Sequence, residues 1–158
     1  MKFVGPLIAV SDLEASKKFY EEVLGQKIVL DLGWNVAFNG GFAIQLNFAE
    51  LLSIDKDTVM KQSHNFELYF EEDDFDAFLE HLEKFDNIEY VHQPKKYDWQ
   101  QRVVRIYDPD KHIIEVGESM VMIVKRYLEQ GFSVEETAKT IQHPVEFIKS
   151  VRDKMGTK

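Results

Sequence analysis

The segment PLIAVSDLEASKKFYEEVLGQKIV at 6–29 and the segment NFELYFEEDDFDAFLEHLEKFDNIEYV at 65–91 share one grammar. Each opens on an apolar strand, passes a capping Ser or Asp, carries an amphipathic helix and returns to a strand. Matching Asp12 to Asp74 sets an offset of 62 residues. Each copy then continues to a matching strand, GGFAIQL at 40–46 and DKHIIEV at 110–116. One strand–helix–strand–strand–strand unit leaves a sheet face uncovered. Two such units can curl their strands around a shared cavity with the helices outside. The expected fold is therefore α+β: two βαβββ modules, about 3–48 and 65–118, forming a cupped eight-stranded mixed sheet.

Local signals support this reading. Ser11 and Glu14 have capping-box spacing, Leu13, Tyr20, Val23 and Leu24 form a buried stripe, and Gly25 suits the helix stop. In the second copy Asp73 or Asp74 caps a stripe of Phe75, Phe78, Leu79, Leu82 and Phe85. Residues 119–158 read differently, as three short helices. Val121, Val124 and Leu128 keep helical spacing, Ser133 and Glu136 form another capping box, and Pro144 opens the last helix. This appendage holds seven Lys/Arg against five Asp/Glu, while the rest of the chain holds 12 against 23. That contrast places a domain boundary near 118, giving a domain at 1–118 and a helical appendage at 119–158.

The bulk numbers narrow the function. With 44% hydrophobic and 13% aromatic residues, 158 residues can bury a real core. The absence of cysteine removes disulfides, thiolate metal sites and a cysteine nucleophile. The start, MKFVGPLIAV, has no small-residue cleavage site, so a signal peptide is not expected. No apolar run approaches the ~18 residues of a membrane span. A cytoplasmic location is the expectation. The formal charge of −9 disfavours nucleic acid. The segment 131–154 has the look of a helix-turn-helix, yet it is poor in arginine; a DNA-binding regulator ranks third, behind a helical cap on the domain or on a partner copy.

Strand alternation sorts the side chains. Phe66, Leu68 and Phe70 face the helix, leaving Glu67, Tyr69 and Glu71 toward the cavity. In the strand over 42–48, Phe42, Ile44, Leu46 and Phe48 are core, and Ala43, Gln45 and Asn47 face inward. Val103, Arg105 and Tyr107 share the inward side, as do Gly5, Leu7 and Ala9. Glu115 interrupts the apolar run Ile113–Val116. An unpaired buried carboxylate costs several kcal/mol, so it must be paired, metal-bound or facing a cavity. The repeat makes Gly5 equivalent to Glu67 and Gln45 equivalent to Glu115, four facing positions.

The run V-x-D-L-x-x-S-x-x-F-Y-x-x-V-L-G at 10–25 and the run from Trp99 through Asp108-Pro109-Asp110 to Glu115 resemble the vicinal oxygen chelate superfamily. This is the group of glyoxalase I, bleomycin- and fosfomycin-resistance proteins and extradiol dioxygenases, and the resemblance covers residues 3 to about 118. It implies the cupped fold, a small-molecule cleft and often a homodimer. In metal-using members the ligands sit at the four facing positions, with histidine usual where this chain has Gly5 and Glu67, and glutamate at Glu115. Neither histidine is present.

Three solutions stay open for the carboxylates. Arg105 can bridge one of them, one can hold a proton beside the other, or Gln45, Glu67 and Glu115 can hold a divalent metal ion such as Mg²⁺ weakly through oxygen. The first two, without metal or other cofactor, are favoured. The resulting expectation is a small-molecule-binding protein with ligand contacts at Gln45, Asn47, Tyr69, Trp99, Arg105 and Tyr107. The alternative is a metal-dependent lyase or isomerase of the glyoxalase type with Glu115 and Glu67 catalytic. The five histidines are expected to be structural or at the surface, with His64 exempt from alternation because it precedes the strand.

Overall fold

The computed structural model describes residues 1–156. The chain divides into two compact units, Met1–Glu67 with Tyr107–Ile113, and Leu68–Ile106 with Ile114–Lys158. Within the first lie β1 (Leu7–Ala9), α1 (Leu13–Lys18, widened into a π turn over Phe19–Val23), β2 (Ile28–Asp31), β3 (Asn35–Phe38), β4 (Ala43–Gln45) and α2 (Phe48–Leu52). Their sheet order is β1-β4-β3-β2. β1 runs parallel to β4 with Ala9 beside Gln45, and β3 runs antiparallel to β4 with Asn35 beside Gln45.

The second module repeats the pattern with β5 (Glu67–Glu72), α3 (Phe75–Leu82), β6 (Tyr90–Lys96), β7 (Arg102–Tyr107) and β8 (Ile113–Glu118). Its order, β5-β8-β7-β6, is the same permutation. Eight strands thus form two four-stranded mixed sheets, one for each βαβββ module. Three further helices follow, α4 (Met120–Glu129), α5 (Val134–Ile141) and α6 (Val145–Met155). Among the described residues no helix is long and apolar enough to cross a membrane.

In the first unit Ile8, Val36, Phe38 and Ile44 are buried on one sheet face, with Leu13, Phe19, Tyr20 and Val23 of the helix. The opposite face carries Leu7, Ala9, Asn35, Ala37 and Ala43, none of them fully buried. Tyr20 is completely buried, its ring 5.0 Å from Phe42 and 5.4 Å from Phe38. A buried phenol needs a partner for its O–H. Asp108 supplies it, accepting from Tyr20 at 2.8 Å. Burial first, and the Asp108 charge second, hold the Tyr20 hydroxyl well above its ordinary pKa.

Two expectations are corrected here. The α1 cap is Asp12, which accepts from the Ala15 N–H at 3.0 Å. Ser11 is taken instead by Asp110, which accepts its N–H at 2.9 Å and its hydroxyl at 2.6 Å. The strand expected over 42–48 ends at Gln45, because Asn47 turns into the left-handed region (φ 54°) to start α2. Asn tolerates that conformation better than most residues. Asn47 is therefore exposed at a turn, off the pleat.

Strand β5 follows its expected alternation, with Leu68 and Phe70 half-buried and Glu67, Tyr69 and Glu71 exposed. Asp74 is the α3 cap, accepting from Ala77 at 3.1 Å. Val103, assigned to the cavity side, is fully buried, as is Val104; β7 is covered on both faces there. The capping box of Ser133 and Glu136 forms. Helices α4, α5 and α6 share a core of Ile123, Val124, Ile141 and Ile148, and Trp99 and Tyr127 pack against it. Glu118, last in β8, bonds Arg126 of α4 and lies 3.3 Å from Arg102 Nε of β7. Burial alone would raise this carboxyl, but the hydrogen bonds from Arg126 and Arg102 prevail and hold it below the usual range.

Candidate ligand site

In the second unit the structure brings Arg105 and Glu115 together as an ion pair, the side chains 20% and 9% exposed. Burying Glu115 in an apolar strand is tolerable for that reason. The guanidinium is itself held. Its Nη1 donates to the Tyr97 hydroxyl and to His92 Nε2 at 3.0 Å. His92 Nδ1 faces the Gln93 carbonyl at 2.9 Å, so Nδ1 donates there while Nε2 accepts from Arg105. Tyr97 stacks on Trp99 with centroids 4.3 Å apart, and Lys95 Nζ sits 4.7 Å from the Tyr97 ring.

Behind this pair Gln101 acts as a connector. It accepts from Trp99 Nε1 at 2.9 Å and donates to Tyr69 Oη at 2.8 Å and the Glu118 carbonyl at 2.9 Å. Tyr69 in turn donates to Glu71 at 2.7 Å. Its hydroxyl is pushed up from the ordinary value, by burial first and by Glu71 second. A side chain at Gly117 would run into the Gln101 amide and the Tyr69 ring. Trp99 is thus engaged through its ring face and its Nε1–H.

The first unit holds the remaining predicted residues. Gln45, 5% exposed, accepts from Asn35 Nδ2 at 3.0 Å and donates to the Leu46 carbonyl at 2.6 Å. Tyr107 meets His64, Oη to Nε2 at 2.7 Å with the rings stacked 5.9 Å apart, and Lys111 Nζ lies 5.6 Å from the Tyr107 ring. Glu67 stands exposed at the first position of β5. Gly5 precedes β1 at φ +151°, and a Cβ there would overlap the Gly41 carbonyl oxygen.

Position 5 has no room for an imidazole, Gln45 is satisfied within its own sheet, and Glu115 is matched by Arg105. Among the described residues no three His, Asp or Glu side chains converge as a ligand set. Sequence reasoning missed His92 and Asn35 as partners. The repeat held a signal for Asn35: Asn35 precedes Gln45 by ten residues, as Arg105 precedes Glu115.

Comparison with known proteins fits this architecture. A glyoxalase-like domain model matches residues 3–121. A protein of unknown function from Agrobacterium tumefaciens is 40% identical, with TM-score 0.67, the match covering 76% of this chain and 95% of that one. A glyoxalase-related enzyme from Fulvimarina pelagi is 20% identical at TM-score 0.62, covering 77% and 91%. The fosfomycin resistance protein FosX from Mesorhizobium loti is also 20% identical, at TM-score 0.55, covering 79% and 96%. The last two show the fold alone. No curated protein matches the sequence. Residues beyond 121 lie outside the family match.

Proposed function

Because the chain belongs to the glyoxalase-like family of the vicinal oxygen chelate superfamily, we propose that it is a cytoplasmic, homodimeric small-molecule-binding protein that works without the superfamily's histidine-based metal centre. The observation that carries this reading is the Arg105–Glu115 pair. The sequence resemblance implies that Glu115 takes the place of the superfamily's metal-binding glutamate, and its charge is already answered by a guanidinium. A metal there would have to displace Arg105 and leave a buried cation beside it, which is costly. A ligand meeting this pair finds donors and an acceptor together, suited to a neutral or anionic polar group. In the second unit Arg105 and Tyr69 are the contacts we assign, with Trp99 acting from behind Tyr97.

Support for the homodimer comes from the first unit, which exposes Phe3 (84%), Val4 (85%) and Trp34 (61%). Exposed large apolar side chains of this kind are what a subunit contact would cover. Metal analysis of the purified protein, with thermal melts over Mg²⁺, Mn²⁺, Zn²⁺ and Ni²⁺, tests the site. The expected result is no stoichiometric metal and no melt shift that depends on Glu115. Stoichiometric metal lost on Glu115→Ala would overturn the reading. It would favour the metal-dependent lyase or isomerase, with Glu67 or Glu115 moving the proton. Native mass spectrometry of the same sample reads both the dimer and any co-purified ligand.

A further inference from the structure

The first unit holds a second set of reactive side chains, which the proposed function does not use. His112 Nδ1 lies 2.8 Å from Asp108 Oδ2, and the Asp108 side chain is fully buried. Asp108 also accepts from Tyr20 at 2.8 Å, from the Asp110 N–H at 3.0 Å and from the His112 N–H at 2.8 Å. A carboxylate with four donors is fixed in place, so it keeps the imidazole proton on Nδ1 and turns Nε2 outward. The ring also rests against Phe66, centroids 5.6 Å apart. Among the described residues Nε2 has no hydrogen-bond partner.

The imidazole lines a hollow of about 210 Å³ together with Ser11, Lys56, Val59, Met60 and Lys61. Lys61 Nζ stands 2.8 Å from Asp110 Oδ1 and 3.2 Å from Ser11 Oγ, which leaves one of its three protons to offer. The charged groups here are two carboxylates, Asp108 and Asp110, and two ammoniums, Lys56 and Lys61, and they cancel. A metal cation or an amine would meet the ammoniums at its own cost. An acid entering with its proton leaves the balance unchanged.

We propose that this hollow is a binding site for a small oxyacid, a carboxylic or phosphoric acid group. The acid shares its proton with His112 Nε2, Lys61 and Lys56 face its oxygens, and Val59 and Met60 contact a short apolar remainder. The site is independent of the Arg105–Glu115 pair and of the function assigned to it.

NMR of the labelled imidazoles tests this, with sodium phosphate and sodium acetate as probes and sodium chloride at matched ionic strength as control. The expected result is a saturable shift of the His112 ring signals with one or both oxyacids and none with chloride. Lys61→Gln should weaken binding about tenfold, as loss of a hydrogen bond to a charged group does. Because Asp110 loses a partner in this variant, a cooperative thermal transition well above the temperature of the titration, even if lowered, verifies that it folds. A response to phosphate alone assigns a phosphoryl group, to acetate alone a carboxylate, and to both the shared oxyacid chemistry. An equal response to chloride, no saturation, or a shift indifferent to Lys61→Gln would each overturn the site.

Discussion

Asn35 and Gln45 face each other across β3 and β4; Arg105 and Glu115 occupy the same two places seventy residues later. The first pair is a neutral amide contact at 3.0 Å, completed by the Leu46 carbonyl. The second is an ion pair, supported by Tyr97 and His92. One scaffold position thus accepts either kind of partner, but the penalties for breaking them differ. A lone amide loses a hydrogen bond, whereas a lone buried charge keeps its whole desolvation cost.

That difference sets the largest predicted effect. Arg105→Met should lower unfolding free energy by about 3–5 kcal/mol, because it strands Glu115. Asn35→Ala should cost about 1–2 kcal/mol. Denaturant titrations of both variants measure the gap, and the double variant Arg105→Met/Glu115→Leu should recover most of the loss. If the two single variants cost the same, the ion pair is not the buried element described here.

The equivalent positions Gly5 and Glu67 give a second, smaller contrast. Gly5→Ala places a Cβ against Gly41 at a backbone conformation that L side chains rarely adopt, and should cost about 1–3 kcal/mol. Glu67→Ala, at an exposed position, should stay within about 1 kcal/mol in the same titration.

Acid should then test the two units separately. Asp110 in the first and Glu118 in the second are both held below the usual carboxylate range. For each, burial opposes the charge; Lys61 and Ser11 outweigh it for Asp110, and Arg126 and Arg102 for Glu118. A depressed carboxyl contributes stability that is present above its unfolded value, about 4, and is lost as pH falls through the lower folded value. Urea midpoints of the wild type should therefore fall below about pH 4, and more gently in Glu118→Gln. The smallest effect belongs to Asp76, an exposed partner of Arg102 at 2.6 Å. Asp76→Asn should leave the thermal melt nearly unchanged and insensitive to added salt.

The parts of the fold that sequence revealed are those written by period. Both helical stripes, the β5 alternation and the strand count of the two modules follow from residues such as Phe75, Phe78 and Leu82, whose spacing admits one buried face. Glu115 was legible as a charge needing an answer. What sequence did not reveal depends on which atom reaches which. Ser11 has capping spacing yet bonds Asp110, ninety-nine positions away, and Asn47 alternates correctly yet leaves the strand at φ 54°. His92 is a strand residue of β6 whose partnership with Arg105 depends on a register shift in the β6–β7 pairing, which periodicity does not encode.

The close approach of Gly5 to Gly41 has a consequence for how this chain can change. A position open to any side chain can change by one substitution. Here any side chain at position 5 would first require the backbone around Gly41 to retreat. A change of residue is therefore at least a two-step path whose first step is destabilising. The variation open to this strand is limited by the geometry of one glycine.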